Sequence, residues 1–241
     1  MLRQIVRDYS VITPLASSDL VPRGYSLAPT WLLPNILDDN SAEVSVLDIG
    51  FGAGGLGQLI KSDPQLRHWS VDGVDGFGVN CNNPGLFEKK IYRNIWHGLA
   101  QEIPFKILAE YKIICLLDVI EHLTQDDAKL LLETLLGDMG QESLLFISTP
   151  LWFCPQDSQQ TGDLEEHLIG VPVTSMTALK PTMYSINEPL IGGFVLNKKS
   201  LDFIDAFQPT TDRDFSLERG MALARSIGFQ YDTGAIFKMT P

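Results

Sequence analysis

Basic residues are scarce in this chain, and the shortage removes a class of partner. Its 241 residues carry 18 Lys and Arg against 30 Asp and Glu, a net charge of −12. Sequence-independent binding to nucleic acid needs clustered Lys and Arg to replace phosphate counterions, and no such cluster is present. Long hydrophobic runs are missing as well. No stretch reaches the roughly 18 apolar residues of a membrane-spanning helix, and Met1-Leu2-Arg3-Gln4 lacks the apolar core of a signal peptide. Cysteine is rare. Cys81, Cys115 and Cys154 are widely spaced with no C-x-x-C, which argues against a disulfide framework or a cysteine-built zinc site and fits a reducing cytoplasm. The rest is ordinary globular composition, 44% hydrophobic and 20% charged, in a length that suits a single domain with a sizeable core.

What is present centres on Val44 to Lys61, V-S-V-L-D-I-G-F-G-A-G-G-L-G-Q-L-I-K. A short β-rich run ends in a glycine cluster that opens into a helix-forming segment. Gly50, Gly52 and Gly55 fit G-x-G-x-x-G, and Gly54 adds the reading D-x-G-x-G-x-G from Asp48. Strand, glycine turn and helix together bring bare backbone and a helix N-terminus against a ligand. By itself the pattern also describes a turn that merely connects two elements.

The remaining chain alternates strand and helix signals. Residues 1–40 are broken by prolines, with Pro29 to Leu37 expected as a short helix forming a lid. The first helix should stop near Asp63-Pro64, and His68 to Asp75 reads as a second strand ending in an acid. At that position Asp75 can accept both ribose hydroxyls of a nucleotide, and Phe77 can lie against an adenine or simply fill the core. Ile91 to Gly98 is expected as a third strand. Tyr111 to Leu117 reads as a buried parallel strand ending in Asp118-Val119-Ile120-Glu121-His122. A helix capped by Thr124 follows to Leu136, then a strand from Ser143 to Pro150. This order predicts a doubly wound, mostly parallel Rossmann-like α/β sheet with helices on both faces. Residues 151–189 carry little regular signal and are long for a structureless connection. Ile191 to Leu196 reads as a strand, Leu217 to Ser226 as a helix, and Phe229 to Phe237 as a strand or hairpin.

Four motifs now stand in order: D-I-G-F-G-A-G-G at Asp48, G-V-D-G-F at Gly73, L-L-D-V-I-E-H-L at Leu116 and F-I-S-T-P at Phe146. Together they resemble the class I S-adenosylmethionine-dependent methyltransferases whose fourth strand ends in D-V-I-E-H. The resemblance covers about residues 44–170, and T-P-L-W-F-C-P-Q through E-E-H-L is similar to members with a P-Q and an E-x-H after the fifth strand. It implies a seven-stranded methyltransferase sheet and S-adenosylmethionine as cofactor, with S-adenosylhomocysteine as product. It implies cofactor contacts at Asp48, Gly50, Gly52, Gly54, Asp75, Gly76 and Phe77, and Asp118 beside cofactor and substrate. Many members bond the adenine amine with an acid after the third strand; here His97-Gly98-Leu99-Ala100 has none. The implied layout within one domain, 1–241, is a lid segment 1–40, a cofactor-binding core 41–150, a substrate-side loop and strand 151–200, and a C-terminal helix and strand 201–241.

Methyl transfer to a hydroxyl gains from a general base with a pKa near the working pH. His122 and His167 are the candidates, assisted by Glu121 and Glu166, although His122 can equally serve only to tie down its turn. In spacing, Asp118, Glu121, His122 and His167 resemble the metal sets of some O-methyltransferases, including small-RNA terminal 2′-O-methyltransferases, and would suit Mg²⁺, Mn²⁺ or Zn²⁺. The same D-V-I-E-H occurs in members without metal, so no metal ligand is assigned, and the charge speaks against RNA. The expected activity is methyl transfer to oxygen on a small-molecule or sugar-type acceptor. Two alternatives stay open: an NAD(P)-dependent oxidoreductase, and a methyltransferase-fold binding protein without activity.

Overall fold

The computed structural model describes residues 43–187, 189–228 and 236–238. The lid helix expected within residues 1–40 lies outside them. Four strands open the sheet: β1 (Ser45–Ile49), β2 (Ser70–Asp75), β3 (Asn94–His97) and β4 (Ile113–Leu117). They are followed by β5 (Leu144–Pro150), β6 (Met183–Asn187), β7 (Ile191–Leu196) and β8 (Ile236–Lys238). Their order across the sheet is β3-β2-β1-β4-β5-β7-β6-β8. Pairing is parallel from β3 to β5 and antiparallel at β5–β7, β7–β6 and β6–β8. The expected seven-stranded, mostly parallel sheet is therefore present, with β8 added as a short strand on the free edge of β6.

Side-chain alternation along each strand divides the core into two faces. Leu47, Ile49, Ile114, Leu116, Leu145 and Ile147 lie on one, beneath helix α5 (Gln125–Asp138). Val46, Val71, Ile113, Cys115 and Leu117 lie on the other with Leu56 and Ile60 of helix α1 (Gly55–Ser62). Burial on both faces explains why β4 reads as an unbroken apolar run. Helix α5 starts where Thr124 accepts a hydrogen bond from the Asp127 backbone, as its sequence predicts.

Between β2 and β4 lie the short helices α2 (Gly78–Cys81), α3 (Pro84–Glu88) and α4 (Phe105–Leu108). The third strand is shorter than expected, because Ile91 and Tyr92 turn inward as core instead of joining the sheet. The segment 151–189 is not uniformly irregular either. It contains helix α6 (Val173–Ala178) and β6, which pairs with β7 through a tight connection. The later helix α7 spans Leu217–Ser226.

Candidate functional site

The carboxyl ends of β1, β2 and β4 enclose a cavity of about 300 Å³. Open α/β sheets bind ligands at that end. One wall is the glycine turn after β1, with Ile49, Gly50 and Gly52. Asp75 to Phe77 and Asn80 form the next wall, and Gly98 to Gln101 close the far end. Asp118, Val119 and His122, after β4, complete it together with Leu164, Glu165 and Leu168 from the loop after β5. Asp75, Asp118, Asp127 and Glu165 line it, and no described Lys or Arg joins them in the wall.

Gly50 has φ of +70, and a Cβ there would meet Val119 Cγ2 at 2.4 Å, so only glycine brings the turn this close to the end of β4. The turn is closed on itself. Gly50 N donates to Val74 O at 2.8 Å and Gly54 N to Phe51 O at 2.8 Å. Gly52 N donates to Asp75 Oδ2 at 2.8 Å.

Asp75 therefore braces the turn as well as facing the cavity. Its Oδ1 accepts from Phe77 N at 2.7 Å, and Oδ2 also accepts from Asn80 Nδ2 at 3.2 Å. A carboxylate offers about four acceptor positions. With three filled, the bidentate ribose bond expected from the sequence needs Asn80 or a backbone donor to give way, whereas a single ribose hydroxyl does not. Gly76 and Phe77 also line the cavity.

Two of the residues expected to contact the cofactor do not line the cavity. Asp48 shares the sheet face of Val46, opposite Leu47 and Ile49, and its Oδ2 accepts from Tyr92 Oη at 2.7 Å. Burial, opposed by that bond and reinforced by the charge of Asp75, raises its carboxyl to about 7. Gly54 (φ +80) packs under the turn, where a Cβ would lie 2.5 Å from Leu86 Cδ2. Both residues shape the turn from below. Conversely, sequence reasoning missed Gln101. It lines the end of the cavity near Gly98 and Leu99, and its buried Oε1 has no hydrogen-bond partner. No acidic pattern marks it, and only the fold shows the unmet acceptor.

Asp118 adopts φ +53, rare for a residue other than glycine and a mark of strain held at a site. Ser148 Oγ donates to its Oδ1 at 2.8 Å. Burial pushes its carboxyl up to about 6 against the pull of that bond.

The three residues expected to do acid–base chemistry come together, but beside the cavity more than in it. His122 lines the cavity, whereas Glu121 and His167 are buried. His122 Nδ1 lies 3.1 Å from Glu166 O, and His167 Nδ1 lies 2.6 Å from Cys154 O. A carbonyl only accepts, so each neutral ring carries its proton on Nδ1 and presents the Nε2 lone pair. Burial lowers both imidazole pKa values, which keeps the rings neutral at pH 7. The rings meet edge to face at 4.6 Å between centroids. Burial, with the Asp118 charge nearby, pushes the Glu121 carboxyl well above the usual range, and its Oε2 has no hydrogen-bond partner among the described residues.

One donor atom from each of Glu121, His122 and His167 lies within 4.8 Å of the others. Ligands at about 2.1 Å from one ion stand roughly 3.5 Å apart, so modest closure suffices. The orphaned carboxylate oxygen and the two oriented imidazoles are donors of the kind a divalent cation takes, at three of the four positions that the sequence had offered without assigning them. Asp118 is not part of this cluster; it is tied to Ser148 and faces the cavity.

No family model matches the chain, and no curated protein matches it. Among solved structures it is similar to PKMT2 of Rickettsia typhi in complex with AdoHcy. The identity is 19%, over 44% of this chain and 20% of that one, with a TM-score of 0.37. Magnesium protoporphyrin IX methyltransferase of Synechocystis PCC 6803, with bound SAM, shares 18% identity over 54% of this chain and 58% of that one, with a TM-score of 0.40. A protein of Rhodobacter sphaeroides described as a Zn-dependent alcohol dehydrogenase shares 18% over 46% and 42%, with a TM-score of 0.39. This chain thus spans a fifth to under three fifths of their lengths. Likeness of this extent accompanies the shared α/β sheet and assigns no activity.

Proposed function

We propose that the chain is an S-adenosylmethionine-dependent methyltransferase acting on a hydroxyl of a small-molecule or sugar-type acceptor. The observation that carries this reading is the bond from Gly52 N to Asp75 Oδ2 across the glycine turn. A dinucleotide pyrophosphate is held by free glycine-turn N–H groups at a helix N-terminus. Here the N–H groups of Gly50, Gly52 and Gly54 already have acceptors, and one of those acceptors is a carboxylate that would repel a pyrophosphate. An acid-lined cavity suits a ligand bearing an ammonium and a sulfonium. The sheet agrees with this reading. The classic dinucleotide order adds a sixth parallel strand beside the fifth, whereas antiparallel β7 occupies that place here.

In this reading the ribose takes the remaining lone pair of Asp75, and Phe77 lies against the adenine. The unmet Oε1 of Gln101 accepts from the adenine amine, which answers the missing acid after β3. Methyl transfer is an in-line displacement at an activated carbon, so the protein mainly aligns the reactants and excludes water. Asp118 accepts the hydroxyl proton. It lines the cavity, Ser148 fixes one of its oxygens, and its pKa of about 6 suits a base at neutral pH. Glu121, His122 and His167 would hold a divalent cation. Such an ion, when bound, supplies Lewis acidity that eases ionisation of a hydroxyl.

Calorimetric titration with S-adenosylhomocysteine and, separately, NAD⁺ tests the cofactor. The expected result is micromolar binding of the former, lost in Asp75→Ala, and no binding of NAD⁺. Binding of NAD⁺ alone would return the chain to the oxidoreductase reading.

A further inference from the structure

Residues 156–170 contain neither helix nor strand, yet they are tied down repeatedly. His167 N donates to Gln156 O at 3.0 Å, and Gln156 Nε2 donates to Glu165 O at 2.8 Å. The Asp163 carboxylate accepts from Gln159 N at 2.8 Å and from Gln160 N at 2.7 Å. At the far end Gly170 and Thr210 exchange backbone bonds of 2.8 and 2.9 Å. A segment fixed in this way transmits displacement of one residue to its neighbours.

The segment has two functional sides. Leu164, Glu165 and Leu168 form part of the cavity wall, and Leu164 reaches across to Gly76, where a Cβ would lie 2.5 Å from Leu164 Cδ1. Between them in sequence, His167 turns away toward Glu121 and His122 on the turn after β4. That turn is already joined to the segment by backbone. Leu168 N and Ile169 N donate to Glu121 O at 2.8 and 3.2 Å, and His122 Nδ1 donates to Glu166 O at 3.1 Å. What the junction lacks is a partner for the buried Glu121 Oε2, which stands within reach of a donor atom on each imidazole.

We infer that His167 is a positioning residue, through which a divalent cation shared with Glu121 and His122 fastens segment 156–170 and sets the cofactor-cavity wall. The inference rests on the cofactor and cation readings above. Two imidazole nitrogens and one carboxylate select a borderline ion such as Zn²⁺ over Mg²⁺, which prefers an all-oxygen octahedron. An ion that draws the three donors together favours the arrangement in which Leu164, Glu165 and Leu168 stand against the ligand. Coupling of this kind is reciprocal, so the cation must tighten cofactor binding by the factor by which cofactor tightens the cation.

The test is titration of the full chain with S-adenosylhomocysteine, after chelation and again with saturating Zn²⁺, with direct Zn²⁺ titration alongside. His167→Asn is the decisive variant, because its side-chain amide can still donate to Cys154 O while the ligating Nε2 is gone. The wild type should bind S-adenosylhomocysteine about tenfold more tightly with Zn²⁺. His167→Asn should match the metal-free wild type within about twofold and gain nothing from Zn²⁺. Failure of the wild type to bind Zn²⁺ overturns the cation reading and this inference with it. Zn²⁺ binding without any change in S-adenosylhomocysteine affinity overturns the inference and leaves the cation site standing. An equal gain in wild type and His167→Asn shows that the ion acts elsewhere, which overturns the role of His167. Absence of S-adenosylhomocysteine binding under both conditions overturns the cofactor reading and the inference together.

Discussion

The hydroxyl of Tyr92 donates to Asp48 Oδ2 at 2.7 Å, joining the segment that leads into β3 to the penultimate residue of β1, beneath the glycine turn. Tyr92 is also what the glycines pack on. A Cβ at Gly57 would lie 2.7 Å from Tyr92 Cζ, and one at Gly73 would lie 3.1 Å from Tyr92 Cδ1. Phe51 completes the group, with its ring centroid 5.1 Å from that of Tyr92. The glycine turn is therefore seated on a packed aromatic and glycine layer with one carboxyl group inside it.

That group makes stability depend on pH with a definite sign. The Asp48 carboxyl rises from 3.8 to about 7 on folding, chiefly by burial. Between those values the native state holds a proton that the unfolded state has lost, so this residue's contribution falls as pH rises from about 4 to about 7. Asp48→Asn keeps an acceptor for Tyr92 and removes the ionisation. It should leave stability near pH 4 almost unchanged and raise it at pH 8, by up to about 4 kcal/mol at roughly 1.4 kcal/mol per pKa unit. Thermal melts of both proteins at the two pH values measure this. The same shift at each pH would sink the argument.

Two glycines in one turn should behave differently. Gly50→Ala meets Val119 at 2.4 Å with φ +70, so crowding and left-handed strain add. A loss of roughly 2–5 kcal/mol is expected. Gly52→Ala, at φ +54 with nothing within 4 Å, should cost only about 1–2 kcal/mol. Its methyl enters the cavity wall, so S-adenosylhomocysteine affinity should fall more than stability does. Denaturant unfolding paired with calorimetry separates the two.

The sequence was most legible where burial and periodicity agreed. Ile191–Leu196 and Leu217–Ser226 were readable to the residue, and the turn from β4 into α5 followed from Thr124 and Asp127. Helix Val173–Ala178 was not, because V-T-S-M-T-A is a weak helix former held by burial of Val173 and Met176. Strand Met183–Asn187 was hidden for a related reason. Its place is fixed by pairing with β7, a partner later in the chain. Asp48 lies on the face of Val46, away from the cavity, a placement that alternation along β1 makes readable. The meeting of Glu121 with His167 lies beyond any local pattern, since the chain between them has to cross β5 and return.

Asp118 as proton acceptor makes a separable prediction. Asn tolerates the left-handed backbone that Asp118 adopts at φ +53, so Asp118→Asn should fold. Its kcat should fall about 10²- to 10⁴-fold, the usual contribution of a positioned base. S-adenosylhomocysteine affinity should stay within about threefold. Ser148→Ala, which frees Asp118 Oδ1, should lower kcat by a smaller factor. An unchanged kcat in Asp118→Asn, once an acceptor is found, would assign the proton to another group.

Gln101 gives the sharpest test, because stability and binding should move in opposite directions. Its Oε1 is buried without a partner, and an unmet acceptor of this kind costs about 1–3 kcal/mol. Gln101→Leu removes that atom and keeps most of the side-chain volume, so the free protein should become more stable by about 1 kcal/mol. The same change removes the acceptor for the adenine amine, a bond worth about 0.5–1.5 kcal/mol, so S-adenosylhomocysteine should bind about three- to tenfold more weakly. An unfilled acceptor persists when a ligand's donor is its partner, and the loss of stability in the free state is the trade that function imposes. Thermal melts and calorimetry on the same preparations give both signs. Loss of both stability and affinity would instead identify Gln101 as a packing residue of the cavity wall.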